Sequence, residues 1–467
     1  MAAIAAAEFT HAPRECPKAL LGALGAGMLI YGALLTIALP WSFIHFVNGP
    51  ELQRLGPVAR GGFGAIALLS LLILLRWCIV QSLAVCERLR ERESTPIRND
   101  GWPIVSILVP AYGEGENIDS ALRSLISLDY PTYEVIVVDD GSVDDTYGKA
   151  LRYAGSFEHG VVRVFRKPNG GKWSALNFGF AQARGEFILC IDADSRLGRD
   201  ALMWLVPHLA DPSVVGVSGQ VTVRNRHNLL TRLQALEYII SNAGLRTAQS
   251  ALGSVLVVPG PIGLYRRSIF ERIAEHNTSM PADAGHVEGP LSGETFAEDF
   301  QLSLSALALG GRIIYERRAI AYTRAPDRTQ LLLNQRYRWL RGTMQVLSVY
   351  RNRLRQLAST PTRGRLDLVL NGLYLVDIYA LPLITFMVLL GFVVTVATAT
   401  SLATILSWVI AIWTLNLLSS LYHVLSQGDD IGLLWVVPAV DIYQTLLINS
   451  AWGVAAYDQL RKSRMKW

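Results

Sequence analysis

Cysteine and charged residues are both scarce in this chain of 467 residues. The four cysteines (Cys16, Cys78, Cys86 and Cys190) lack the spacing of a metal site, and two of them lie in or beside an apolar run. We therefore expect no disulfide framework. Charged residues make up 17% of the chain, the net charge is only +5, and no basic-and-aromatic signature of an RNA-binding module is present. No nucleic-acid partner is expected.

Hydrophobic residues are abundant instead, at 51% of the chain, which is more than a soluble domain usually carries. Apolar runs from Ala19 to about Phe46 and from about Phe63 to Val85 are long enough to span a bilayer core of about 30 Å. The first run is too long for a signal-peptide core, so we interpret it as a retained anchor. Three further spans are predicted at about 378–398, 402–425 and 432–455.

Clusters of basic residues predict the orientation in the membrane. Four arginines lie between 88 and 98, and five lie between 351 and 365. By the positive-inside rule both clusters are cytosolic, which indicates a multi-pass protein of the plasma (inner) membrane with its long middle stretch in the cytosol. Three C-terminal spans would put the C-terminus outside, although its four basic residues favour the inside. The alternative is a hairpin or interfacial helix between 366 and 398.

The middle of the chain alternates short β-rich runs with helical segments, which predicts an α/β fold with a largely parallel sheet. Helices are expected from near Glu114–Glu116 to before Pro131 and from Lys172 to about Arg184. The predicted strands are Val105–Val109, Glu134–Val138, Val162–Arg166, Phe187–Ile191, Val214–Ser218 and Arg312–Tyr315. The predicted domains are a cytosolic tail (1–17), two transmembrane helices (18–90), a cytosolic domain (91–330), amphipathic interface helices (331–366), about three transmembrane helices (367–458) and a basic tail (459–467).

Three ionisable residues fall in or beside the predicted spans. Arg76 would cost about 2.5–3.5 kcal/mol in lipid unless it snorkels to the interface, and the alternative is that it lines a polar path. Asp377 and Asp441 lie in a repeated Val-Asp-Ile-Tyr motif. For each acid there are two alternatives: it makes a structural polar contact, or it lines a channel.

Two carboxylates, Asp192 and Asp194, directly follow the apolar run Phe187–Ile191. Ligands bind at the carboxyl ends of strands in α/β sheets. Mg²⁺ or Mn²⁺ accepts one or two carboxylates and takes its remaining ligands from phosphates and water. The pair therefore predicts a metal site for a diphosphate, and the alternative is a solvated loop.

The ends of two other predicted strands carry residues that suit a nucleotide ligand. Asp139 and Asp140 end the second strand, and Tyr112 with Glu114 follows the first, which supplies an aromatic face and an acid for nucleotide recognition. Lys172 follows two glycines and opens a helix, an arrangement that favours an anion. The alternative is an ordinary surface lysine at a turn.

Two helices complete the set. Glu298 and Asp299 begin an amphipathic helix, where an acid acts either as a general base for an acceptor hydroxyl or as a favourable N-terminal charge worth about 0.3–1 kcal/mol. In the later segment that begins at Gln335, Arg338 could clamp a diphosphate and Trp339 could stack on a sugar. The alternative there is an ordinary interfacial helix.

Taken in order, these motifs resemble the D, DxD, (T/E)ED and QxxRW series of family-2 glycosyltransferases. The motifs are Asp139-Asp140, Asp192-Ala193-Asp194, Glu298-Asp299 and Gln335-x-x-Arg338-Trp339. The resemblance covers about 103–345 and is strongest to the processive membrane synthases of cellulose, chitin oligosaccharides, hyaluronan and poly-N-acetylglucosamine. It implies a GT-A-type domain. Ala297, where many members have Thr, and the two-plus-three span layout are similar to the poly-N-acetylglucosamine group, and no cyclic-dinucleotide domain of the cellulose synthase kind is expected.

The resemblance also implies roles for individual residues. Those implied at the donor are Tyr112, Glu114 and Asp139 for the uridine, Asp140 as a further substrate-binding residue, Lys172 and Asp192 for the sugar diphosphate, and Asp192 with Asp194 for Mg²⁺ or Mn²⁺. Those implied at the acceptor are Asp299 as catalytic base with Glu298 beside it, Gly260 under the acceptor sugar, and Gln335, Arg338 and Trp339 at the acceptor and diphosphate end.

The expected function is an inverting, processive glycosyltransferase that makes a β-linked polysaccharide from UDP-N-acetylglucosamine or UDP-glucose and passes it across the membrane. Its expected partners are the UDP-sugar, the growing polysaccharide, the lipid bilayer and an accessory export subunit. Two alternatives stay open: a non-processive enzyme that makes a glycolipid, and a channel or receptor with a degenerate nucleotide-binding domain.

Overall fold

The computed structural model describes residues 16–48, 56–90, 101–278, 289–349, 372, 374–375, 378–398 and 402–463. Two helices come first, α1 (Lys18–Asn48) and α2 (Gly56–Arg90). The strands are β1 (Val105–Ala111), β2 (Tyr133–Asp139), β3 (Gly155–Phe157), β4 (Gly160–Arg166), β5 (Phe187–Cys190), β6 (Arg196–Leu197), β7 (Val214–Val223), β8 (Gly263–Arg266) and β9 (Arg312–Thr323). They form one sheet in the order β3-β4-β2-β1-β5-β8-β7-β9-β6.

The helices of the sheet domain are α3 (Ile118–Leu125), α4 (Thr146–Leu151), α5 (Lys172–Gln182), α6 (Ala201–Leu205), α7 (Leu229–Ile240), α8 (Thr247–Ser250), α9 (Arg267–Thr278), α10 (Glu298–Ala308) and α11 (Thr329–Val349). The C-terminal helices are α12 (Leu381–Thr398), α13 (Leu402–Gln427), α14 (Val437–Tyr443) and α15 (Asn449–Leu460). Short 3₁₀ turns cover Val206–Ala210 and Ile431–Val436, and π-helical turns cover Ser241–Arg246 and Gln444–Ile448.

The predicted α/β fold is confirmed, and the strands β4, β2, β1 and β5 that lie side by side are parallel. Their runs of branched apolar residues are buried because helices cover both faces of a parallel sheet. The rest of the sheet is mixed, because β8 runs antiparallel to both β5 and β7. The sequence had not predicted β3, β6 or β8.

Apolar helices precede and follow this sheet domain in the chain. In the ranges that the structure describes, four helical stretches are long and apolar enough to cross a membrane: Lys18–Ser42, Leu68–Arg90, Leu406–Gln427 and Ile431–Leu460. The span expected at about 378–398 coincides with α12, an apolar helix of 18 residues that is not among these four stretches. Five spans therefore remain a prediction, as do the domain bounds. Asp377, the arginines between 351 and 365 and most of the terminal tails lie outside the described residues.

Contacts on either side of α7 help to join the sheet domain to the apolar helices. The Arg226 guanidinium, just before α7, makes a two-pronged ion pair with Asp429, which follows α13, and one of its bonds measures 2.9 Å. A hydrogen bond of 2.8 Å links His423 Nε2 of α13 to Gln81 Oε1 of α2. Gly244 of the π-helical turn lies against both side chains. The helix that runs through α7 and α8 is therefore held against α2 and α13.

Another polar contact within the apolar helices involves Asp441. The Asn416 amide of α13 donates to both carboxylate oxygens of Asp441, at 3.0 and 3.2 Å. Of the two interpretations of Asp441, the structure supports the structural contact. Arg76 is half-buried in α2, and its predicted function as a snorkelling or path-lining residue is untested.

Candidate functional site

The site begins where parallel strands end at one edge of the sheet. Ala111, at the end of β1, pairs in register with Asp139 at the end of β2, and Leu108 pairs with Cys190 of β5. Because parallel strands place their carboxyl ends together, the loops that follow these strands are neighbours. The acids that the sequence singled out in these loops are therefore brought to one edge.

Tyr112 and Glu114 follow β1. The Tyr112 ring is 55% exposed, so its face is available to a ligand. Burial raises the pKa of Glu114, the Asn117 hydrogen bond opposes the rise, and the Asp194 and Asp192 carboxylates add to it. Glu114 thus lies within electrostatic reach of the acids after β5.

Asp139 and Asp140 end β2 with their carboxylates already engaged. Asp139 is fully buried and forms an ion pair of 3.1 Å with Arg166 Nε of the adjacent strand β4. Asp140 accepts hydrogen bonds from Lys167 Nζ at 2.6 Å and from the Gly171 N–H at 2.7 Å. These contacts fix the loop immediately before Lys172, so Asp140 positions that loop. Direct contact of either acid with a nucleotide stays a prediction.

Lys172 lies at the centre of the acid cluster. Its Nζ is 2.7 Å from Asp192 Oδ1 and 2.6 Å from Glu298 Oε1, so it bridges β5 and α10. Burial would lower the pKa of Lys172, but the carboxylates of Asp192, Glu298 and Asp299 outweigh that effect and raise it well above its ordinary value. The ammonium is therefore held as a positive charge in the cleft by two ion pairs, and its role with an anionic ligand stays a prediction.

Gly260 closes the cleft from the opposite side. A Cβ at this position would lie 2.8 Å from Asp192 Oδ2 and 2.9 Å from Lys172 Nζ, so a larger residue here would have to displace the ends of these two side chains. Lys172, Asp192, Gly260, Glu298 and Asp299 line the same cleft. The cleft has an open volume of about 350 Å³.

Asp299 begins α10 next to Glu298. Burial raises its pKa to about 7, the Glu298 carboxylate adds to the rise, and the Lys172 ammonium opposes it. Its Oδ1 accepts a hydrogen bond of 2.7 Å from the Phe300 N–H, which fixes the carboxylate. A carboxyl with a pKa near neutrality can take a proton from an alcohol at physiological pH.

Asp192 and Asp194 fit a divalent cation in their chemistry. Burial and the Asp192 carboxylate raise the pKa of Asp194, which shows that two negative charges lie close together with incomplete compensation. Within the described part of the chain, no group of three or more His, Cys, Asp or Glu side chains could hold a metal alone. A cation here would need further oxygen ligands, and the phosphates of a substrate supply them.

Helix α11 carries Gln335, Arg338 and Trp339. Arg338 and Trp339 are exposed, and the Gln335 Oε1 atom is buried without a hydrogen-bond partner among the described residues. The Trp339 ring lies 6.4 Å from the ring of Tyr238. Burial raises the pKa of Tyr238 most, and the Arg336 guanidinium opposes the rise. Trp339 therefore lies beside the end of α7.

Sequence reasoning missed the residues that hold Trp339. The Arg336 guanidinium lies over the Trp339 ring at 4.4 Å, is 4% exposed, and donates to Glu237 Oε2 at 2.7 Å. The Tyr443 hydroxyl, from the last apolar stretch, donates to the same oxygen at 2.6 Å. We call Arg336, Glu237 and Tyr443 the Arg336 bracket. Glu237 is the only acid in the sequence of α7, which was a signal that could have found it.

Comparison with known proteins gives a consistent result. Residues 106–274 match the family Glycosyl transferase family 2. Over 244 residues the chain is 29% identical to a poly-beta-1,6-N-acetyl-D-glucosamine synthase of Staphylococcus epidermidis and 28% identical to the enzyme of that name from Staphylococcus aureus strain COL. Both matches cover 52% of this chain and 55% of the relative, so this chain spans about half the length of the curated relatives it matches.

A solved structure shares the fold. A mannosyltransferase from Pyrobaculum calidifontis, in complex with GDP-Man and Mn²⁺, aligns with a TM-score of 0.57 and 20% sequence identity. The alignment covers 85% of this chain and 99% of the mannosyltransferase. The predicted GT-A-type fold is thereby confirmed, and the resemblance of residues 106–274 to family-2 glycosyltransferases is confirmed by the family match.

Proposed function

We propose that this chain, which carries a glycosyl transferase family 2 domain at residues 106–274, polymerises a β-linked polysaccharide from a UDP-sugar at the inner face of the plasma membrane. UDP-N-acetylglucosamine is the preferred candidate, because the matched relatives are poly-beta-1,6-N-acetyl-D-glucosamine synthases, and UDP-glucose is the second. The observation that carries the proposal is Lys172, which bridges Asp192 and Glu298 in one cleft beside Asp299.

The donor end of this reaction needs positive charge where the leaving UDP becomes negative. Lys172 supplies a permanent ammonium, held in place by the loop that Asp140 fixes. Charge that is already oriented stabilises a transition state without reorganisation. Mg²⁺ or Mn²⁺, held by Asp192 and Asp194, would neutralise charge on the diphosphate when bound. Tyr112 and Glu114 are the proposed contacts to the uridine.

The acceptor end needs a base and a platform. Asp299 takes the proton from the attacking hydroxyl of the acceptor, and Glu298 keeps the pKa of Asp299 high enough for that transfer. The hydroxyl attacks C1 as UDP leaves from the opposite face. One displacement inverts the anomeric centre, so an α-linked donor gives a β-linked product. The exposed Trp339 ring is the proposed stacking surface for the acceptor sugar.

The apolar helices support a further part of the proposal, which is that the same chain passes its polymer through the membrane. Four helical stretches are long enough to span, and α7 through α8 packs against α2 and α13 next to the site. In this arrangement the sheet domain lies in the cytosol, and an accessory export subunit could receive the product.

The deciding experiment uses the purified full chain with a panel of radiolabelled UDP-sugars, followed by linkage analysis and product sizing. A β-linked polymer from UDP-N-acetylglucosamine is the expected result. A product of one sugar on a lipid would replace the polymerase by a glycolipid enzyme, and absence of UDP release with every donor would reject the enzyme. In proteoliposomes, polymer fully accessible to a glycosidase on the donor side would reject translocation.

A further inference from the structure

A second groove lies away from the cleft, between α11, the segment before α10 and the end of the last apolar stretch. It has an open volume of about 920 Å³. Its lining residues are Phe296, Arg341, Gln345, Ser348, Val349, Gln459, Lys462 and Ser463. The charged side chains in this lining, Arg341 and Lys462, are both cations.

Arg341 is the unusual residue of the groove. It is 3% exposed, and its Nη2 donates to the Ser463 carbonyl at 2.9 Å, but its Nε and Nη1 have no partner among the described residues. A buried donor without a partner is costly, and the cost is greater for a charged group. The groove therefore contains two guanidinium donors that an anion would satisfy. The Asp458 carboxylate, on the last apolar helix, accepts a hydrogen bond of 2.7 Å from the Tyr337 hydroxyl.

Lys462 adds a second cation at the mouth of the groove. It adopts a φ of 52°, in the left-handed region that favours glycine, directly after α15. Ser348 and Ser463 add hydroxyls, and Gln345 an amide. Lys462 follows the stretch Ile431–Leu460, so the groove lies where a membrane-crossing helix ends, at the depth of lipid headgroups.

The groove is also continuous with the catalytic segment. The Phe296 N–H donates to Gln345 Oε1 at 3.3 Å, and Gly342 lies against Ala297, immediately before Glu298 and Asp299. An anion held by Arg341 would stabilise the face of α11 that supports these residues.

We propose that this groove binds a phosphate group, through Arg341 and Lys462, and that the bound phosphate supports the segment before the catalytic acids. An anionic phospholipid headgroup and free phosphate share this chemistry. The position at the end of a span favours the headgroup.

The test measures binding directly, so that it does not depend on turnover or on the proposed function. The full chain is purified and reconstituted with phosphatidylcholine containing phosphatidylglycerol, and retained phosphatidylglycerol is counted by native mass spectrometry. Lys462→Gln and Arg341→Gln should each weaken retention by roughly tenfold, as expected for loss of a charge-assisted hydrogen bond. In a parallel arm, inorganic phosphate is added to the protein in detergent and thermal stability is followed.

Arg461→Gln is the matched control, because Arg461 has the same charge and is adjacent, but its guanidinium lies over the Tyr457 ring at 4.6 Å and does not line the groove. It should retain phosphatidylglycerol. Stabilisation by inorganic phosphate that both groove variants lose would identify free phosphate as the source. The proposal would be overturned if wild type and Lys462→Gln retained phosphatidylglycerol equally and responded equally to phosphate. Because Lys462 is exposed, the Lys462→Gln result decides the test if Arg341→Gln does not fold.

Discussion

The acid cluster around Lys172 and the Arg336 bracket each hold side chains that the sequence assigns to the site, but they are built in different ways. In the acid cluster, each functional group follows directly from a strand end or helix start, and Lys172 joins two of them. In the bracket, Arg336 bonds to Glu237, which is 99 residues away in the chain. Glu237 in turn accepts from Tyr443, which lies in an apolar stretch. The acid cluster is formed by residues at the sheet edge, whereas the bracket connects α11 and α7 to the apolar helices.

The difference suits a division of the proposed reaction between the two regions. In that proposal, groups at the sheet edge act on the bond that is made and broken. A residue that holds Trp339 and also contacts the last span is suited to hold the acceptor between additions. Variants of the cluster should therefore change rate, and variants of the bracket should change product length.

The largest effect is expected from Asp299→Asn. The amide keeps the shape of the side chain but accepts no proton, so UDP release should fall by about 10²–10⁴-fold. Binding of the UDP-sugar, measured by calorimetry, should be almost unchanged because Lys172 and Asp192 remain. Strong residual synthesis would reject Asp299 as the base.

Gly260→Ala should follow in size. The added Cβ would displace Lys172 Nζ or Asp192 Oδ2, which lie 2.9 and 2.8 Å from it, and such a displacement of reacting groups costs about 100-fold in rate. Steady-state UDP release measures the loss. Gly148→Ala is the control, because nothing lies within 4 Å of its added Cβ. Equal rates in the two variants would contradict the close approach of the Gly260 loop.

The pH profile should show an effect of about tenfold per unit on its acid side. Below a pH of about 7, Asp299 is mostly protonated and gives no base, so activity falls as the pH falls and levels off above pH 8. Replacing Glu298 by Gln removes the like charge that raises the pKa of Asp299. The acid limb of that variant, measured as kcat/KM against pH, should move to lower pH. An unmoved limb would show that Glu298 does not raise the pKa of Asp299.

Tyr443→Phe should give the smallest effect on rate and a visible one on product length. It removes one hydrogen bond to Glu237, worth about 1 kcal/mol, so UDP release should fall no more than about fivefold. Gel sizing should show shorter chains, because Arg336 and Trp339 are less firmly held. Tyr457→Phe in the same stretch is the control and should leave the length distribution unchanged. A loss of rate with normal length would assign the bracket to the sheet-edge chemistry.

The same contrast explains what could be predicted from the sequence. A branched apolar run followed by an acid is a local signal, and it located the ends of β2 and β5 to within one residue and the end of β1 to within two. The strands β6 and β8 were missed because Arg196–Leu197 has two residues and Gly263–Arg266 has only four, with no alternation. Their positions are fixed by antiparallel partners distant in the chain.

The site shows the same limit. Local motifs pointed to Lys172, Asp192 and Asp299, but no spacing rule links Arg336 to Glu237 or to Tyr443. Asp140 at the substrate stays a prediction, but its hydrogen bonds to the Lys172 loop were not predicted from the sequence. Which of a pair of adjacent acids faces the ligand depends on tertiary contacts that the sequence does not specify.

The ion pair between Arg226 and Asp429 has a mechanical consequence. Two parallel hydrogen bonds resist rotation better than one, so this pair should limit rotation of the start of α7 against the end of α13. If a growing chain is drawn away from the site, we expect the sheet domain to keep its orientation on α13 and the loops at the sheet edge to move instead.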